Sequence, residues 1–342
     1  MLVDRFVEGV RTKNADRSSQ AAALADTVLK PVAGWQTAER LYVVPDGRLH
    51  LLPFQMLVTE TAVKPPIVSS VPSANVFALL RSARPTATPE RAFMGIGGVP
   101  YDRMCASAKT GTGTSRSDET RGLFDAPYPT ELPVLPTAQR EVLAAASLLG
   151  STSVVLTGDQ ATESAVKAQR LDGFEVLHFA VHAFADPKFP ERAALVLLND
   201  PATGDDGLLQ PREIGQLRVN AGVVVLSACD TAVGPTLGQE GVLNLARAFL
   251  IAGAKSVITT LWAVSDATST AVMRRFYENI AAGMDVAEAL ARSKAAVLEQ
   301  LGTDALSTVA AFQVVGLGDH RLTLDGSSRK RVSTSVAPQK MG

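Results

Sequence analysis

The sequence predicts an α/β fold with a mostly parallel central sheet and helices on both faces. Two observations lead there. Short runs rich in β-branched residues alternate with longer amphipathic segments along most of the chain. Several of these runs are apolar without interruption, above all Val223–Leu226 (VVVL), which suits strands buried on both faces.

The elements follow in order. Residues 2–12 and 20–35 read as helices, the second stopped near Pro31 and Gly34. Leu41–Val44 is a strand. Pro45-Asp46-Gly47 is a turn, after which Leu49–Leu52 is expected to return antiparallel. Ser73 caps a short helix through Arg81, and Ala92–Ile96 is another strand. Residues 98–131 are dominated by Gly, Ser, Thr, Asp and Pro and read as a long exposed loop and lobe boundary. A helix from Thr137 to Leu149, closed by Gly150, leads to a strand at Val154–Leu156 and a helix at 161–170. Next come a strand at 175–182, a polar loop at 184–192, a strand at Ala194–Leu198 and a short helix from Pro211. The strand at Val223 is followed by helix 241–252, strand Lys255–Leu261 and helices 267–282 and 286–300, the last starting after Asp285. Residues 311–317 form a final strand. The basic tail 325–342 reads as disordered.

Composition excludes several classes of function. With 342 residues, 46% of them hydrophobic, the chain has ample core. A net charge of −1 offers no basic field for nucleic acid. Four His and two Cys are too few for a zinc cluster of usual spacing. No apolar run nears the ~20 residues of a membrane span, and residues 1–8 (MLVDRFVE) hold no apolar h-region, so no signal peptide is expected. Cys105 sits in the polar loop and Cys229 at a strand end, so no disulfide is expected and a cytoplasmic location follows. Gly95-Ile96-Gly97-Gly98 follows a strand, but Val99-Pro100 breaks the dinucleotide pattern, and no Walker or Gly-x-Ser-x-Gly motif occurs. No cofactor and no metal are therefore expected.

The chemistry sits at strand ends. The Val223 strand delivers Cys229 to the carboxyl edge of the sheet, and the 175–182 strand delivers His182. If the strands are neighbours, thiol and imidazole share one edge as a nucleophile–base dyad. His178 lies inside its strand, on the face of His182 by period 2, and is expected to be structural. The oxyanion donors expected are the backbone N–H groups of Ala183 and Cys229.

Several blocks, in order, resemble the CHAT domain, a caspase-like protease module often found beside tetratricopeptide repeats in bacteria. They are VPDGRLHLLPF (Val44–Phe54), Val71-Pro72-Ser73, LHFAVHA (Leu177–Ala183), VLSACDT (Val225–Thr231), GQEG (Gly238–Gly241), ARAFL (Ala246–Leu250), Ala252-Gly253-Ala254, Leu261-Trp262 with Asp266, and Phe276-Tyr277. They span roughly 25–318. The resemblance implies a caspase-like three-layer sandwich, with N-terminal helices over 1–35, a non-catalytic lobe over 36–135 and a catalytic lobe over 136–320. It implies a cysteine endopeptidase that cleaves protein substrates after Arg or Lys, with an acid in the pocket. Asp266 occupies the matching position, although an N-cap for helix 267–282 is the other reading; Glu240 and Asp230 are weaker pocket candidates. The chain departs from the family pattern at Ala310-Ala311-Phe312, where a Trp is common. With no repeat array among these residues, control by a regulatory protein on another chain is expected, in a signalling or defence setting. A catalytically silent caspase-fold interaction module is the alternative.

Overall fold

The computed structural model describes residues 2–83, 88–104, 132–184, 193–227 and 239–324. Helices α1 (Leu2–Arg11) and α2 (Arg17–Val28) pair and bury Phe6, Val10 and Leu24. Strand β1 (Arg40–Val43), α3 (Phe54–Thr61), β2 (Ile67–Ser70), α4 (Ala74–Ser82) and β3 (Arg91–Gly97) follow. The Ser73 side chain accepts from Val76 N–H, as a cap should. The expected antiparallel return at Leu49–Leu52 does not form. Gly47, at φ +52°, opens a 3₁₀ turn over Gly47–Leu51 instead, and Ile67–Ser70 takes the place beside β1, in parallel.

From residue 132 onward come α5 (Ala138–Leu149), β4 (Val154–Thr157), α6 (Glu163–Lys167), β5 (Phe174–Ala180), β6 (Ala183–Phe184), β7 (Ala194–Val196), β8 (Leu208–Leu209), α7 (Pro211–Ile214) and β9 (Val223–Leu226). The chain continues through α8 (Gln239–Ala252), β10 (Ser256–Thr260), α9 (Asp266–Ala281), α10 (Val286–Leu301), α11 (Leu306–Ala311) and β11 (Phe312–Gly316). Asp285 caps α10 by accepting from Glu288 N–H.

Eight of these strands make one sheet in the order β1-β2-β11-β10-β9-β5-β3-β4. Strands β10, β9, β5, β3 and β4 run parallel. β11 is antiparallel to β10 but parallel to β2, which is parallel to β1. Two parallel blocks therefore meet at the β10–β11 pair. Sequence on both sides of residue 135 contributes strands, since β3 lies between β5 and β4. One face of the sheet packs on α8 through Leu245 and Phe249. The other packs on α5, α9 and α10 through Val142, Phe276 and Leu290. A third apolar cluster joins α1, α2 and α3 to Leu261 and Trp262.

All five strands of the larger block end at the same edge. The first residues after β5 and β9 fall there, and the two strands are direct neighbours. A separate three-stranded antiparallel sheet, β6-β7-β8, stands just beyond β5. Among the described residues no helix is long and apolar enough to cross a membrane.

Candidate active site

His182 sits two residues past the end of β5 and is almost wholly buried. Its Nε2 lies 2.7 Å from the carbonyl oxygen of Pro133. A carbonyl can only accept, so Nε2 carries the hydrogen. Nδ1 is then the bare nitrogen, and it has no hydrogen-bond partner among the described residues. An imidazole fixed in this tautomer presents one free lone pair, as a general base must.

The main chain around His182 is tied on both sides. Val196 N–H donates to His182 O at 2.8 Å, making 182 and 196 a bonded pair continuous with the β6–β7 ladder. The reciprocal bond of such a pair would run from His182 N–H to Val196 O. Here the Tyr101 hydroxyl stands between them. It accepts from His182 N–H at 2.9 Å and donates to Val196 O at 2.9 Å. The next pair, Ala183–Leu195, is then of the non-bonded type, which turns Ala183 N–H away from β7. Tyr101 follows Val99-Pro100 at the carboxyl end of β3, and burial raises its hydroxyl pKa far above the usual range, so it remains a donor.

His178 behaves differently. It is fully buried, with Nδ1 2.9 Å from Tyr277 Oη and Nε2 2.9 Å from Ser227 Oγ. Glu141 Oε1 lies 3.0 Å from the same Nε2, and Glu141 Oε2 accepts from Thr270 Oγ1. Burial and the Glu141 charge both raise the Tyr277 hydroxyl well above its ordinary value, so it stays protonated and donates to Nδ1. Both ring nitrogens are used, and His178 is structural. β5 ends at Ala180, so period 2 within the strand covers His178 but not His182, and the two rings bond to different partners.

Beside this edge lies a pocket of about 130 Å³, bounded by Pro133, Glu141, Ala180, Ser227, Asp266 and Ser269. It adjoins the carbonyl that holds His182. Asp266 is half-buried on its wall. The N-cap position of α9 belongs to Ser265, and Asp266 is the first helical residue. Its Oδ2 accepts from Thr137 N–H at 3.1 Å rather than from its own helix. The second reading of Asp266, a cap for α9, therefore fails. Of the other site residues expected from sequence, Cys229 and Asp230 lie outside the described residues. Glu240 falls in the first turn of α8, with its side chain outside them.

The sequence reading did not include Tyr101, the Pro133 carbonyl, Glu141 or Ser227. A backbone carbonyl has no side-chain signature. Tyr101 was readable only as an aromatic just past a strand end.

A CHAT domain is recognised over residues 18–320. The chain belongs to the CHAT domain family. Tetratricopeptide repeat protein 28 of Mus musculus is 26% identical over 213 residues, 53% of this chain but 8% of that protein. Its Homo sapiens counterpart is 26% identical over 215 residues, with the same coverage. The CHAT chain thus spans less than a tenth of these curated relatives. Among solved structures, the complex of the pro- and mature domains of Porphyromonas gingivalis RgpB has a TM-score of 0.54 at 10% identity, covering 93% of this chain and 72% of that one. The Arg-specific cysteine proteinase gingipain R gives 0.53 at 9% identity, covering 91% and 69%. The fold of this CHAT domain is accordingly that of the caspase-like cysteine proteases, as its blocks of sequence implied.

Proposed function

We propose that this CHAT domain is a cysteine endopeptidase with a His182–Cys229 dyad and a preference for Arg or Lys before the cut. One observation carries the reading: Pro133 holds the His182 Nε2–H, leaving Nδ1 bare at the carboxyl edge of β5. The register supports it. Phe179 pairs with Leu226, and His182 and Cys229 each follow those residues by three positions.

The mechanism follows from these groups. Nδ1 takes the thiol proton, and the thiolate attacks the peptide carbonyl. The oxyanion that forms is met by the backbone N–H groups of Ala183 and Cys229. Collapse breaks the C–N bond while His182 returns its proton to the leaving amine. Water, deprotonated by Nδ1, then hydrolyses the acyl-enzyme and restores the thiol. Asp266 on the pocket wall supplies the negative charge for a guanidinium or ammonium. Control by a protein partner on another chain completes the proposal; the curated relatives carry a tetratricopeptide-repeat name and are far longer than this chain.

The test is turnover of fluorogenic Arg- and Lys-peptides by the parent, Cys229→Ala and His182→Ala. Loss of essentially all signal in both variants is expected. Equal signal from the parent and Cys229→Ala removes the proteolytic reading and leaves a silent interaction module.

A further inference from the structure

The Tyr101 hydroxyl occupies a place where a sheet ladder would put a direct backbone bond. Pair 182/196 keeps one direct bond, Val196 N–H to His182 O. The other is relayed through the phenol, which spreads the two chains on that side. The tyrosine ring meanwhile lies against the imidazole, with centroids 4.6 Å apart. One residue thus fixes both the main chain and the ring of His182. The Pro133 carbonyl supplies the third point of support.

We infer that Tyr101 is the positioning residue for His182: its hydroxyl sets where the histidine backbone leaves the sheet, and its ring sets where Nδ1 points. This rests on the dyad proposed above and goes beyond it. Nothing in catalysis asks Tyr101 to touch substrate. Its hydroxyl has both its donor and its acceptor role filled by main chain, so it acts through the histidine. Removing that oxygen would leave two buried backbone groups, His182 N–H and Val196 O, without the bonds they now make. The cheapest repair is for them to close on each other directly, which draws the histidine towards β7. Displacements of that kind near reacting atoms cost about 100-fold per ~1 Å.

The experiment uses the full chain with Cys105→Ser, which leaves Cys229 as the single thiol. Two quantities are read: the rate of Cys229 alkylation by iodoacetamide, and kcat and KM on an Arg-peptide. Tyr101→Phe keeps the ring and loses the oxygen. It is expected to lower kcat by about 10- to 100-fold with KM within about 2-fold. Its alkylation rate should fall towards that of His182→Ala. Tyr101→Leu, which also loses the ring contact, should fall further. Phe174→Leu, in the same apolar cluster but at the far end of β5, controls for general loss of stability and should alkylate like the parent. Parent-like alkylation and kcat in Tyr101→Phe overturn the inference while leaving the dyad intact. An equal loss in Phe174→Leu also overturns it, since the effect would then be one of stability alone. If the parent alkylates no faster than His182→Ala, the dyad itself fails, and the role of Tyr101 with it.

Discussion

Lys294 lies on α10 with its ammonium group in the apolar layer between α10 and the sheet. It is 8% exposed, and its Nζ donates to Phe312 O at 2.6 Å. The small cavity beside it is lined by Pro53, Phe54, Val68, Leu290 and Val314, and no carboxylate lines it. Burial without a counter-ion pulls its pKa from 10.5 down to about 7. The unfolded chain holds the proton up to 10.5, the folded chain only up to about 7. Between those values the unfolded state binds more protons, so the stability of the parent rises with pH across that window. The full shift corresponds to roughly 5 kcal/mol lost below pH 7, at about 1.4 kcal/mol per unit. Lys294→Met keeps the unbranched shape, removes the charge and loses one hydrogen bond worth about 1 kcal/mol. The variant should therefore be more stable than the parent near neutrality, by about 3–4 kcal/mol. From pH about 6.5 to about 9.5 that advantage should shrink by about 3 kcal/mol. Guanidinium chloride unfolding of both proteins at the two pH values, followed by circular dichroism, measures it. An advantage that is the same at both pH values refutes the reasoning, as does a variant less stable than the parent at the lower one.

Two further outcomes test other parts of the molecule. Asp266→Asn keeps an acceptor for Thr137 N–H but removes the charge from the pocket wall, so kcat/KM on Arg-peptides should fall by about 100-fold, with little change on peptides carrying an uncharged residue there; a surviving basic preference would show that the acid lies elsewhere. Gly253 ends α8 at φ +116°, where an added Cβ would stand 2.1 Å from Val219 O, so Gly253→Ala should cost about 2 kcal/mol or more and lower Tm by several degrees in a thermal melt.

Local features of the fold were legible because local chemistry sets them. Val223–Leu226 is apolar throughout, and it became the strand between β5 and β10, buried at every residue. Ser73 and Asp285 cap the helices that follow them, as short polar side chains before an apolar periodic segment should. Pairing at a distance was not legible. Nothing in Phe312–Gly316 says that it runs against β10 and beside β2, since that order depends on strands far away in sequence. Leu49–Leu52 failed for a similar reason: its alternation fits an edge strand, but Gly47 turns it into a 3₁₀ segment, and Ile67–Ser70, richer in β-branched character, pairs with β1 instead. In the site, His182 was legible from its strand end. Its supports were not, because Pro133 acts through main chain and Tyr101 acts from 81 positions away.

The two histidines of the Leu177–Ala183 block show how position, rather than residue type, decides which ring nitrogen is left without a partner among the described residues. Both are buried, and both face an aromatic ring. His178 lies within β5, where the neighbouring strand and α9 are close enough to give each nitrogen a side-chain partner. Its proton has nowhere to go that does not break a bond already made. Past Ala180 the pairing with β3 and β9 gives way to pairing with β7, and no side chain among the described residues hydrogen-bonds the His182 ring. The His182 ring is hydrogen-bonded by main chain alone, through the Pro133 carbonyl on Nε2, while the Tyr101 hydroxyl and Val196 N–H hold its backbone. Carbonyls do not titrate, and they fix one tautomer without occupying the second nitrogen. A histidine built into the sheet is therefore saturated, and the one at its edge keeps a nitrogen free for chemistry. For that reason His182, rather than the better-bonded His178, is the base to test.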